Sequence, residues 1–297
     1  MVAVLAGGTG GAKLAAGLAE HDDVAVIANT GDDLEIYGVH VSPDPDLVTW
    51  WLAGTIDERG WGIAGDTFEA MRSEADPWFQ LGDRDLELCR LRTQALRTSR
   101  LTEAHAKVVE AVGVKHRVLP MSDDPVRTHV RTPRGLRPFQ EFMIVDRWAG
   151  PIDEVVLDGI GDARPTPEVL DALASADAIV IGPSNPVISI GPILAVPGIR
   201  AALRETPAPV IAVSPFVGGH AVKGPTDDFC RSAGIELSAQ GIADAYRDVV
   251  DAVVADEPVQ GVRALVTDTL MDDPTARHTL ARKILDFAES ARSPRAG

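Results

Sequence analysis

Five short stretches of this chain combine residue types that hold phosphate, bind a metal or handle a proton. Near the start, Gly7-Gly8-Thr9-Gly10-Gly11-Ala12-Lys13 follows the apolar run Val2 to Ala6. Glycines let a backbone approach a ligand closely, and a helix beginning there offers unpaired N–H groups and partial positive charge to a phosphate. The spacing is neither a P-loop nor GxGxxG, and a tight strand-to-helix turn would use the same residues. Asn29-Thr30-Gly31-Asp32-Asp33 leaves a second apolar run, and Ser42-Pro43-Asp44-Pro45-Asp46 follows soon after. Carboxylates crowded on one rim repel unless a cation offsets them, and Mg²⁺ does so while bridging to phosphate oxygens. Asp46 also reads as a cap for a helix beginning at Leu47.

Leu81-Gly82-Asp83-Arg84-Asp85 taken alone reads as a local ion pair. In Met121 to His129, a polar turn precedes a strand, and His129 reads as either a base or a structural residue. The fifth stretch, Gly182-Pro183-Ser184-Asn185-Pro186-Val187-Ile188-Ser189-Ile190-Gly191-Pro192-Ile193, follows the run Ala178 to Ile181. Ser184, Asn185 and Ser189 suit neutral donation to phosphate and ribose oxygens. The prolines stiffen the loop and reduce the ordering cost of binding, although a plain Pro-rich turn has the same composition.

Buried strand, glycine turn, helix and buried strand (Val24 to Asn29) complete one βαβ unit in about 30 residues. Later apolar runs at Glu154 to Leu157, Ala178 to Ile181, Pro209 to Val213 and Ala252 to Ala255 repeat the theme. Near-continuous Val/Ile runs alternating with helices such as Pro167 to Ala174 predict an α/β fold, a Rossmann-like parallel sheet with helices on both faces. The middle third predicts helices over Asp66 to Glu74, Leu86 to Leu96 and Thr102 to Val112, the last capped by Thr102. Arg117 to Leu119 reads as a short strand. Val126 to Arg131 and Phe139 to Val145 predict a hairpin around Thr132-Pro133-Arg134-Gly135. The chain thus reads as one domain over 1–297, with an α/β core of about 1–46 and 151–289 and a mainly helical insertion with a hairpin at about 47–150. The tail after Ser290 reads as frayed.

With 297 residues, 45% hydrophobic and 24% charged, the chain has ample material for a core. A formal net charge of −16 argues against a nucleic-acid partner, since phosphate backbones are gripped by excess Lys and Arg. Cys89 and Cys230 have no CxxC neighbour, so neither a thiol zinc site nor a disulfide framework is expected. No basic leader and no long apolar span is visible, so a cytoplasmic protein with no membrane partner is expected.

The five stretches, with Arg59-Gly60-Trp61-Gly62 and with Ser-Pro-Asp-Pro-Asp counted separately, make seven motifs in order. Together they closely resemble the 2-phospho-L-lactate transferase family, CofD in archaea and FbiA in actinobacteria. The resemblance runs from residue 2 to about residue 289 and includes Asp268-Thr269-Leu270-Met271; Pro45 departs from a Pro-Asp-Leu-Asp pattern. It implies a step in making the deazaflavin coenzyme F-420. The ribityl hydroxyl of FO (7,8-didemethyl-8-hydroxy-5-deazariboflavin) attacks a guanosine diphosphate-linked lactate or enolpyruvate, GMP leaves, and Mg²⁺ is required. It also implies that Asp46 contacts FO, with Arg84 a further FO or phosphate contact. Metal is expected on Asp32 and Asp46, with Asp44 as a ligand or as the base for the hydroxyl. Gly8, Thr9, Gly10, Ser184 and Asn185 are expected around the guanosine diphosphate, and a homodimer is the expected assembly. The alternatives are a nucleotide-sugar-binding regulatory protein of the same superfamily and an NAD-dependent dehydrogenase. Against the first, Leu34-Glu35 follows the paired acids where that group has glycines. Against the second stand the glycine spacing and Asn29, where an acid for the ribose is expected.

Overall fold

Strands β1 (Val2–Ala6) and β2 (Val24–Ala28) are buried at every position, as strands covered on both faces must be. They belong to a seven-stranded parallel sheet with β3 (Arg117–Pro120), β4 (Ala178–Ile181), β5 (Val210–Val213), β6 (Ala252–Ala255) and β7 (Arg263–Val266). The spatial order is β7-β6-β5-β4-β1-β2-β3. The computed structural model describes residues 1–75, 77–222 and 224–291. Side chains alternate along each strand, so Val2 and Val4 enter one core while Ala3 and Leu5 enter the other. On the first face pack α1 (Gly8–Ala19), α2 (Pro43–Leu52) and the C-terminal helix Pro274–Ala291. The second face is covered by Pro167–Ser175, Ile190–Ala195, Ile199–Glu205 and Ala239–Ala245. Local chemistry agrees with these boundaries: Thr166 accepts the Val169 N–H as an N-cap ahead of Pro167.

The chain grows from β1 through β2 to β3 on one side, then returns to place β4 on the other side of β1. That reversal sets the carboxyl ends of β1 and β4 side by side, where the loops that leave them diverge and open a crevice.

Between β2 and β3 lie a hairpin (Leu34–Ile36 with Val39–Val41), α2, α3 (Asp83–Ala95) and α4 (Leu101–Ala111). Strand β3, inside the segment expected as an insertion, pairs with β2 in the main sheet. After β3, Arg127–Thr132 is the central strand of a small antiparallel sheet, flanked by Gly135–Pro138 and Glu154–Asp158. The run at Glu154 was expected in the parallel sheet; it pairs antiparallel with Arg127–Thr132 instead.

Several expectations need correction. Phe139–Ile144 is helical, not the second hairpin strand, because Phe139 and Phe142, three apart, share one helical face against Phe229. The predicted helix over 66–74 is reduced to a single 3₁₀ turn, Ala70–Ser73. Its flanks are held from α3 instead: the Asp83 carboxylate accepts the Glu69 and Ala70 N–H groups, while Asp66 accepts those of Arg84 and Asp85. Thr102 lies inside α4, where its N–H and hydroxyl both donate to Asp123 Oδ1. Asp46 caps nothing, since α2 begins at Pro43 and puts Asp44 and Asp46 inside its first turn. Pro45 is tolerated there because first-turn N–H groups have no intrahelical partner. The expected frayed tail falls, from residue 292 on, outside the described residues.

Candidate active site at the β1–β4 crevice

The two loops of the crevice are in contact. The Gly11 N–H donates to Ser184 Oγ at 3.0 Å, and the Gly182 N–H donates to the Leu5 carbonyl at the end of β1. Gly10 packs so closely on the neighbouring loop that a Cβ would lie 2.1 Å from the Pro183 carbonyl oxygen. Glycine here serves close approach between two loops rather than φ freedom. Within the β4 loop, Asn185 Oδ1 accepts the N–H groups of Val187 (2.8 Å) and Ile188 (3.2 Å), an Asx turn that shapes the loop. The Thr9 and Gly10 N–H groups at the start of α1 have no protein partner among the described residues. They point out of a 12-residue helix and suit an anion.

A third segment closes the crevice. Asp44 Oδ1 accepts the Gly8 N–H at 2.6 Å and its Oδ2 accepts from Asn29 Nδ2 at 2.9 Å. One carboxylate thereby ties the start of α1 to the end of β2. Asn29 is fixed in turn by its contacts with the Ile188 carbonyl and the Gly31 N–H. Burial pushes the Asp44 carboxyl up to about 6 despite these two donors. Burial, then the Asp44 charge, raises Asp32 well above the carboxylate range, and Asp32 Oδ1 is buried without a partner among the described residues. Next to it, Asp33 accepts the Ser42 hydroxyl, and burial carries its pKa to about 8. Beside these acids opens a cleft of about 390 Å³, flanked by Trp78 and Phe139 and lined by Thr128 and His129.

Gly8, Thr9, Gly10, Ser184 and Asn185 therefore surround one crevice, and Asp32 faces Asp44 there. Asp46 departs from that cluster. Residues two apart on a helix point about 200° away from each other, so Asp44 and Asp46 leave α2 on opposite sides. Both Asp46 oxygens are taken by the buried Arg92 guanidinium, at 2.6 and 2.8 Å. Of the metal pair expected from sequence, Asp46 has both oxygens on Arg92, and it is the Asp44 charge that acts on Asp32. Arg84 sits at the start of α3 with an exposed side chain, its Nη1 3.5 Å from the Ala64 carbonyl, and Asp85 beside it approaches Asp46. Sequence reasoning missed Arg92 and His105, which is fully buried. Isolated Arg and His residues on helices carry no motif. The only available signal was charge at positions three or four apart from apolar ones, as in Leu88, Cys89 and Arg92.

A parallel α/β sheet with a glycine loop, a rigid Pro-Ser-Asn loop and paired carboxylates at its switch point defines the class of phosphate-handling α/β proteins. More specifically, the chain belongs to the CofD family: residues 2–278 match the family model described as 2-phospho-L-lactate transferase CofD. It is 40% identical to the 2-phospho-L-lactate transferase of Methanopyrus kandleri, over 96% of this chain and 97% of that protein. It is 39% identical to the phosphoenolpyruvate transferase of Kitasatospora aureofaciens, over 98% of each chain. In structure it is similar to protein BH3568 of Bacillus halodurans, with a TM-score of 0.65 over 96% of this chain and 98% of that one, at 20% identity. That last likeness speaks for the fold alone. The chain is an enzyme of the 2-phospho-L-lactate transferase family. Among the described residues no helix is long and apolar enough to cross a membrane.

Proposed function

We propose that this enzyme transfers a phospholactyl or phosphoenolpyruvyl group from a guanosine diphosphate-linked donor to the ribityl hydroxyl of FO, releasing GMP. The observation that carries the reading is the meeting of two free N–H groups, Thr9 and Gly10, with the Ser184–Asn185 loop at the strand reversal. Phosphoryl transfer depends mainly on positioning and charge stabilisation, and a preformed donor cradle supplies both. In it, Thr9 and Gly10 donate to the diphosphate, and the Asn185 Nδ2 group, left over from the Asx turn, donates to the nucleotide.

Mg²⁺ fits this chain at Asp32 and Asp44. Among the described residues Asp32 Oδ1 is buried without a partner, the two carboxyls repel each other, and the donor set is all oxygen. When bound, the ion would neutralise charge on the transferring phosphoryl group. Asp44 otherwise keeps the glycine loop in place through Gly8. Where Asp44 does not hold the ion, its carboxylate is the acceptor we assign for the hydroxyl proton. The acceptor ring would enter the cleft between Trp78 and Phe139; Asp46 and Arg84, the FO contacts that the family resemblance implies, do not line that cleft, Asp46 being held by Arg92. A homodimer and a cytoplasmic location complete the reading.

The test is mass spectrometry of products from FO with each donor, with and without EDTA. The reading expects the phospho-three-carbon ester of FO together with GMP, and no turnover in EDTA. A product without transfer to FO would overturn it. The same assay decides between lactate and enolpyruvate, which differ by two hydrogens.

A further inference from the structure

Asp44 works only if the turn that carries it is held still, and the residues that hold it lie in a buried polar network behind α2. Arg92, fully buried on α3, reaches across to that turn. Its Nη1 and Nη2 donate to Asp46, and its Nε and Nη2 donate to the His40 carbonyl at 3.3 and 2.9 Å. The next residue, Thr93, accepts the His40 N–H through Oγ1 at 2.8 Å. Residues 40 and 46 are the two ends of the segment Val41-Ser42-Pro43-Asp44-Pro45, so one guanidinium brackets the segment with Asp44 inside it.

Arg92 is itself oriented. Thr49 Oγ1 gives its proton to the Pro45 carbonyl at 2.7 Å, so it must accept from His105 Nε2, 3.2 Å away. That leaves His105 Nδ1 as a bare lone pair facing Arg92 Nη1 at 3.4 Å. Burial keeps this imidazole neutral, with a pKa lowered to about 4. A buried ion pair is weak evidence for stability, since the desolvation of both charges offsets most of their attraction. Two well-packed apolar residues would serve stability as well. Geometry is what the pair adds.

We propose that Arg92, oriented by His105, is a positioning residue for Asp44: by bracketing His40 and Asp46 it sets the Asp44 carboxylate against Gly8 and Asn29 at the donor crevice. The inference rests on the reading of Asp32 and Asp44 as the Mg²⁺ and donor site. It assigns Arg92 no contact with substrate.

The experiment is GDP titration by calorimetry with and without Mg²⁺, with melting curves, on wild type, Arg92→Lys, His105→Asn and His105→Leu. Arg92→Lys retains charge but loses the planar fork. It should lower GDP affinity about 10-fold or more and remove most of the Mg²⁺-dependent gain, on the scale seen for residues that orient metal ligands. Asn at 105 keeps an acceptor near the Nδ1 position and should retain most of the gain, whereas Leu should lose it. If Arg92→Lys fails to fold, the Asn/Leu contrast at 105, where Arg92 is intact, still decides. Folded variants with wild-type Mg²⁺ dependence would overturn the positioning role. If wild type shows no Mg²⁺ gain in GDP affinity, the metal reading of Asp32 and Asp44 falls first, and this inference with it.

Discussion

Replacing Gly10 by alanine tests the contact between the two crevice loops. The new Cβ would stand 2.1 Å from the Pro183 carbonyl oxygen. A relaxed C···O contact needs about 3.3 Å, so the loops must separate by ~1.2 Å. Neither side yields easily, because the obstacle is backbone and the loop is tied by Gly182 to β1. Overpacking of this kind costs about 1–3 kcal/mol. The Gly11 to Ser184 bond, next along the same contact, is worth ~1 kcal/mol more when lost. Alanine returns ~1 kcal/mol through helix propensity in α1, which leaves a net loss of about 1–3 kcal/mol. Unfolding entropy of about 2.1 cal/mol/K per residue, over 297 residues, converts that to a melting point lower by ~2–5 °C. Turnover should fall further, toward the ~100-fold that a 1 Å misplacement costs. Scanning calorimetry and GDP titration are the assays. Gly161→Ala, where no atom lies within 4 Å of the added Cβ, is the control. A Gly10→Ala protein with wild-type melting point and GDP affinity would refute the argument that this glycine exists to bring two loops together.

Asn185→Asp keeps the acceptor for the Val187 and Ile188 N–H groups but loses the Nδ2 donor and adds charge. It should melt like wild type while GDP affinity falls by about 5- to 100-fold, the equivalent of ~1–3 kcal/mol; equal affinity would reduce Asn185 to a loop former. Asp44→Asn removes the charge facing Asp32 but turns an NH2 group toward one of the two donors, Gly8 N–H or Asn29 Nδ2, that the carboxylate accepts; it should melt lower than wild type by the equivalent of ~1–3 kcal/mol, and Mg²⁺ should no longer tighten GDP binding. The pH dependence of Asp33 has a definite sign. Its folded pKa of about 8 exceeds its unfolded value of about 3.9, so its stability contribution is present at low pH and is lost as pH rises through that window. His40, 3.4 Å away, has a pKa lowered to about 4 by burial and adds no charge to compensate. Asp33→Asn should therefore gain melting temperature relative to wild type between pH 5 and pH 8.5; a constant difference would place the Asp33 proton elsewhere.

Five strands of the parallel sheet were legible along the chain because they are fully buried, as in the continuous run Val24–Ala28; the half-exposed edge strand Arg263–Val266 was not. The nucleotide loops were legible because close backbone approach restricts residue type, leaving Gly10 one choice and the Pro183–Asn185 loop few. Phe139–Ile144 was misread since six residues with two aromatics satisfy a strand or a helix, and packing against distant residues such as Phe229 and Ile188 selects the helix. The acidic cluster shows the same limit more sharply. Sequence placed Asp32, Asp44 and Asp46 on one rim, but it could not say which way each carboxylate turns. That was decided by where α2 begins. Starting at Pro43 rather than Leu47 puts Asp44 and Asp46 on opposite sides, one toward Gly8 and the other toward Arg92. The partner that accounts for Asp46 comes from a different helix 46 positions on. Residue type and spacing determined which groups this protein brings to its crevice; the ion pair from Arg92 of α3 to Asp46 of α2 determined which of them face it, because a carboxylate is directed by its partners and not by its neighbours in sequence.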